Sequence, residues 1–154
     1  MAYAMQQAPT GLMRQAIVVQ SRRPRRRASV LVAEDDAELR KLIASILSSD
    51  GYDVVEVSNG NELLEYMRAQ RGRYPDVILS DICMPGRTGF DILRELRARG
   101  IMTPVVLMTA FGEEFSEQAA RELGALTLVE KPFEIDDLRM IMLNVAPGSP
   151  RASN

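Results

Sequence analysis

Apolar residues in this chain fall into short continuous runs separated by stretches of helical spacing. Residues 30–33 (VLVA) form the first run, short enough for a strand. From 37 to 49, Leu39, Leu42, Ile43, Ile46 and Leu47 recur at intervals of three and four, which places them on one side of a helix. Asp36 stands in front as an N-cap. Asp50-Gly51 turns the chain into a second run at 54–57, and Ser58-Asn59-Gly60 opens a helix through Leu63, Leu64 and Met67. The third run, 76–80, contains the unbroken oily stretch Val77-Ile78-Leu79, which fits a strand covered on both faces. A third helix spans about 88–99, with Phe90, Ile92, Leu93 and Leu96 apolar and Gly100 stopping it. Strand four is predicted at 105–108, helix four at about 113–123, strand five at 126–129 and helix five at 135–145.

Five strands alternating with five helices predict a parallel sheet, because helical crossovers return the chain to the same edge. Right-handed crossovers then place helices on both faces, giving three layers of the α/β class. All the C-terminal strand ends share one edge, where ligands of such sheets bind. Strand one delivers Glu34 and Asp35 to that rim, strand three Asp81, strand four Thr109 and strand five Lys131. Clustered carboxylates repel one another unless a cation lies between them. Hard oxygen ligands suit Mg2+, which takes one or two carboxylates plus a phosphate oxygen. Lys131 adds a compact positive charge and Thr109 a rotatable donor, so the rim can receive a dianionic group. Asp81, central among them, can act as nucleophile toward phosphorus and form an aspartyl phosphate.

The totals exclude several other classes. The 154 residues fit one domain with tails, and the net charge of −2 provides no global field for nucleic acid. No run of about 18 apolar residues is present, and the N-terminus does not read as a signal peptide. Cys83 is the only cysteine, which rules out an internal disulfide and suits a reducing cytoplasm. Histidine is absent, so any phosphohistidine must come from another molecule. Residues 1–27 read as a disordered arm with an apolar patch at 16–19 followed by "SRRPRRRAS"; Met13 offers an alternative start. A solvated linker is preferred there over a nucleic-acid or anionic-membrane contact, since no aromatic is interleaved for base stacking. The domain proper is 28–146, and 147–154 read as a disordered tail.

Four motifs, in order and at fitting spacing, resemble the receiver domain of bacterial response regulators. They are "VLVAEDD" at 30–36, "PDVILSDICMPGRTGFDIL" at 75–93, "VVLMTAFG" at 105–112 and "EKPF" at 130–133. The resemblance implies a flavodoxin-like (βα)5 fold with strand order 2-1-3-4-5. It implies that Asp81 is the phosphoacceptor, that Asp35 touches Mg2+ directly and Glu34 through water, and that the Cys83 carbonyl is a further metal ligand. Thr109 and Lys131 would bind the phosphoryl oxygens, and the Lys131-Pro132 bond would be cis. A sensor histidine kinase or phosphotransfer protein would be the donor. With fewer than ten residues after helix five, output would be a surface presented to another protein, on the helix 4–strand 5–helix 5 face, with homodimers a further option.

Three positions depart from the family pattern. Glu34 stands where Asp is commoner. Phe111, two residues after the threonine, would hinder an in-line water and slow self-dephosphorylation. Leu128 occupies the place of an aromatic that swings inward on activation and cannot make that ring-and-hydroxyl movement. On helix five, Leu138, Ile141, Met142 and Val145 form a core face, whereas Met140 and Leu143 point away as scattered surface residues or a partner patch. Competing readings are a receiver-shaped scaffold whose Asp81 is never modified, and an aspartate-nucleophile phosphohydrolase. The second expects its nucleophile after strand one in an Asp-x-Asp arrangement, where this chain has "EDDAEL". A non-enzymatic signalling protein is the preferred reading.

Overall fold

The computed structural model describes residues 26–110 and 116–146. Strands β1 (Ser29–Ala33), β2 (Asp53–Val57), β3 (Val77–Asp81), β4 (Val105–Thr109) and β5 (Thr127–Glu130) alternate with helices α1 (Ala37–Ser49), α2 (Gly60–Ala69), α3 (Gly89–Ala98), α4 (Glu117–Glu122) and α5 (Ile135–Val145). The strands form one parallel sheet in the order β2-β1-β3-β4-β5. Both the helical alternation and the expected flavodoxin-like order are present.

Alternate strand residues serve opposite faces, as the two-residue period of a strand requires. Leu31, Ile78, Val105 and Leu107 pack against α2 and α3 through Leu63, Met67, Ile92 and Leu96, and Ala120 of α4 joins this layer. Val30, Val32, Val77, Leu79, Val106 and Met108 pack the other way, against Ile43 and Leu47 of α1 and Leu138 and Met142 of α5. Every residue of β3 and β4 is buried, which explains the unbroken oily runs in their sequences.

The helix starts follow from local chemistry. The Asp36 carboxylate accepts from the amides of Glu38 and Leu39. Asn59 accepts from Glu62, and Thr88 and Asp91 form a reciprocal capping box at α3. Ser116 caps α4, so the described helix begins at Glu117 and is shorter than the expected 113–123; residues 111–115 lie outside the described residues. Every strand also has at least one boundary that moves by a residue, and β3 moves at both ends. Asp81, expected just past β3, is its last residue, because the Ile82 amide still donates to Met108 O at 2.9 Å and extends the pairing. Asp76 precedes β3 instead of opening it: its backbone amide donates to Ser29 O at 2.9 Å and its carboxylate accepts from Ser29 and Arg26. Leu42, grouped with the core face of α1, is 52% exposed, since it sits on the flank of that stripe.

Arg26 and Arg27, counted with the arm, are placed: Arg26 pairs with Asp76 at 2.7 Å and Arg27 lies 4.0 Å from Asp53. The expectations for residues 1–25, for Phe111 and for 147–154 fall outside the described residues. Among the described residues no helix is long and apolar enough to cross a membrane.

Candidate functional site

The C-terminal edge of the sheet gathers the groups that the alternation predicted. Glu34 follows β1 directly; its amide donates to Val57 O at 3.2 Å and its carbonyl accepts from Arg40 at 2.8 Å, which fixes the turn into α1. Asp81 pairs with Met108 in the β3–β4 register, one residue before Thr109. Thr109 is fully buried at the end of β4, opposite Glu130 of β5. The Lys131 amide donates to Thr109 O at 2.7 Å, so the end of β5 is tied to the end of β4 by a backbone bond. The Lys131-Pro132 peptide is cis, as the resemblance implied.

Two strand ends far apart in sequence meet through Lys131. Its Nζ donates to Glu34 Oε2 at 2.6 Å and to Asp81 Oδ2 at 2.9 Å. The other oxygen of Asp81, Oδ1, accepts from the backbone N–H of Cys83 at 3.1 Å. Asp81 is therefore gripped at both oxygens and held in one orientation. Glu34, Asp35 and Asp81 each bring a carboxylate oxygen to within 4.8 Å of the other two, with Glu34 and Asp81 buried and Asp35 exposed. This donor set of three hard anionic oxygens, open on the Asp35 side, fits Mg2+.

The electrostatics reflect that crowding. Burial pushes the Glu34 carboxyl up to about 7, and the charge of Asp81 adds to it; hydrogen bonds from Lys131 and from the Asp36 amide oppose the rise only in part. Burial works against the charge on Lys131 as well, but its hydrogen bonds to Glu34 and Asp81, with their charges, outweigh this and hold the ammonium above its ordinary value. A proton and a divalent cation thus compete for Glu34. Affinity for Mg2+ is expected to weaken by up to about tenfold per pH unit as pH falls below about 7, where the raised carboxyl takes up its proton. Calorimetric Mg2+ titrations on either side of neutrality measure it. Glu34→Gln should flatten the profile, and an unchanged slope in that variant would assign the proton to another group.

Gly89 is a site residue that the sequence reading passed over. As the first residue of α3 it donates its amide to Ile82 O at 2.9 Å. A Cβ there would lie 2.7 Å from Asp81 O and 3.0 Å from Ile82 Cα, both backbone atoms that cannot swing aside. Glycine thus allows α3 to press against the segment that carries Asp81. Gly89→Ala is expected to destabilise the fold by about 1–3 kcal/mol, read as a lower urea midpoint at unchanged slope. The role of Cys83 also changes in emphasis: the resemblance pointed to its carbonyl, and the structure shows its amide orienting Asp81.

Residues 30–142 match the response regulator receiver domain family. The chain belongs to that family. It is 34% identical over 110 residues to sporulation initiation phosphotransferase F of Bacillus subtilis, covering 71% of this chain and 86% of that protein. It is 38% identical over 116 residues to the transcriptional regulatory protein PdtaR of Mycobacterium tuberculosis, covering 75% of this chain and about half, 53%, of that regulator. Among solved structures, the response regulator protein TrrA of Thermotoga maritima, in complex with Mg2+–BeF, aligns with a TM-score of 0.68 at 26% identity, over 77% of this chain and 98% of that one. Receiver domains therefore occur both as most of a protein and as a part of a larger one among the relatives of this chain.

Proposed function

We propose that this receiver accepts a phosphoryl group on Asp81 from the phosphohistidine of a sensor kinase or phosphotransfer protein in the cytoplasm. The observation that carries the reading is Lys131 bridging Glu34 and Asp81 from the far end of the chain, beside a third carboxylate. Glu34, Asp35 and Asp81, with the Cys83 carbonyl, would hold Mg2+, which when bound neutralises charge on the phosphoryl oxygens. Asp81 attacks phosphorus as the bond to the donor imidazole nitrogen breaks, and the imidazole leaves with the electron pair. Lys131 and the Thr109 hydroxyl receive the equatorial oxygens. Cys83 N–H keeps the carboxylate aimed throughout.

An apolar groove of about 440 Å³ opens beside Lys131, lined by Leu39, Leu42, Ile46, Phe133 and Ile135. It gives the exposed Leu42 a purpose as a seat for the donor. The output would be the α4–β5–α5 face, where Met140 and Leu143 are 59% and 51% exposed. Lys131 links the acceptor to the end of β5, since its Nζ donates to Asp81 while its amide donates to Thr109 O, and Leu128, packed opposite Leu107, takes the place of a swinging ring. The protein acts as a switch and not as an enzyme on free phosphate esters. Beryllofluoride with Mg2+ tests the switch: amide resonances of Asp81, Thr109, Lys131 and α5 should shift at stoichiometric additions. Silence on α5 would favour a scaffold, and turnover of small phosphate esters would favour the phosphohydrolase.

A further inference from the structure

Asp35 is the exposed member of the acid trio, so packing does not hold it and its direction depends on the backbone on either side. One residue grips both neighbours. The Arg40 amide donates to Asp36 O at 2.9 Å, and its guanidinium Nη1 donates to Glu34 O at 2.8 Å. Glu34 O belongs to the same planar peptide unit as the Asp35 amide, so a bond to that oxygen fixes the plane joining these two acidic residues. The other bonds of the turn act on its ends. The Glu34 amide donates to Val57 O at 3.2 Å, the Asp36 amide to Glu34 Oε1 at 3.2 Å, and the Asp36 carboxylate accepts from the amides of Glu38 and Leu39.

Arg40 is also set apart from the surface cations. Among the described arginines that form ion pairs its side chain is the least exposed, 16% against 42–70% for the others. Its guanidinium faces three elements: the turn after β1, Glu56 of β2 with Oε1 3.6 Å from Nε, and Glu62 at the start of α2. The Glu62 carboxyl is held low chiefly by hydrogen bonds from Ser58 and in smaller part by the Arg40 charge. The Glu56 side chain is 40% exposed, and an ion pair of that length beside solvent contributes little. The charge-assisted bond to the Glu34 carbonyl is the stronger contact.

Charge and geometry make opposite demands here. As a charge, Arg40 repels Mg2+, so its loss would tighten metal binding. As a brace, it aims Asp35, so its loss would weaken binding. Groups that orient a metal ligand are worth about 10–100-fold in affinity, whereas the Arg40 charge is already offset by Glu56 and Glu62. We propose, resting on the reading of Glu34, Asp35 and Asp81 as Mg2+ ligands, that Arg40 is a positioning residue that aims Asp35 at the metal through the Glu34–Asp35 peptide.

Calorimetric Mg2+ titration of the full chain, without phosphodonor, tests this with Arg40→Met, Arg40→Lys and Glu56→Gln. Arg40→Met should raise the dissociation constant by about tenfold. That is the opposite sign to removing Lys131, which occupies carboxylate oxygens where Arg40 holds only backbone. Arg40→Lys keeps the charge and a donor and should recover most of the affinity. Glu56→Gln should stay within about twofold of the unaltered chain. Labelling by acetyl phosphate should split in the same way. In Arg40→Met the Mg2+ concentration for half-maximal rate rises, while the rate at saturating Mg2+ stays within about twofold. Unchanged or tighter Mg2+ binding in Arg40→Met would overturn the proposal. So would an equal weakening in Glu56→Gln, or a fall in the saturated rate at a constant half-maximal Mg2+ concentration. Asp35→Asn tests the premise separately: it should weaken binding at least as much as Arg40→Met, and full affinity in that variant would overturn the metal reading itself.

Discussion

Asp81→Asn is expected to abolish phosphoryl incorporation completely while leaving the fold intact. Asparagine has nearly the same shape, so Oδ1 can still accept from Cys83 N–H, and the strand that carries it is fully buried. The loss is chemical: an amide oxygen is a poor nucleophile and cannot form the acyl phosphate. The variant also removes one negative charge from a site where Lys131 balances two, leaving the ammonium matched to Glu34 alone. Thermal stability should therefore be close to that of the unaltered chain, while gel retardation of the phosphorylated form goes to zero with acetyl phosphate and Mg2+. Residual label at the original level would show that another residue is the acceptor.

Lys131→Met should separate two properties that a purely structural role would move together. Lys131 occupies oxygens of Glu34 and Asp81 that a cation would also use, at 2.6 and 2.9 Å. Removing the ammonium leaves the carboxylates facing each other without a counter-charge, so Mg2+ should bind several-fold more tightly. Phosphorylation should nevertheless fall by about 10²–10³-fold, the scale of losing one pre-positioned electrostatic group at a developing charge. Measuring the dissociation constant for Mg2+ alongside the labelling rate checks both. A parallel fall in metal binding and rate would mean that the lysine merely supports the fold.

Much of this was legible before the structure, for a physical reason. A parallel sheet forces its strand ends to one edge, so naming the strands was enough to place Glu34, Asp35, Asp81, Thr109 and Lys131 on a common rim. Periodicity could not say how the groups pair. That Lys131 takes one oxygen from each of Glu34 and Asp81, while Cys83 N–H takes the other oxygen of Asp81, depends on side-chain geometry. Leu42 matched the helical spacing yet lies in the open, because a stripe on α1 wider than its contact leaves a flank for the neighbouring groove. Gly89 fell inside the predicted third helix with nothing in the spacing to mark it; its necessity comes from the Asp81 carbonyl 2.7 Å from where a Cβ would stand.

The most direct test of the central claim is to find where the phosphoryl group goes. The protein, treated with a phosphodonor and Mg2+ and then reduced with borohydride to trap the acyl phosphate, is digested and sequenced by mass spectrometry. Reduction is expected at Asp81 alone, and only when Mg2+ is present. Modification at another residue, or none in a folded, Mg2+-loaded protein, would contradict the account.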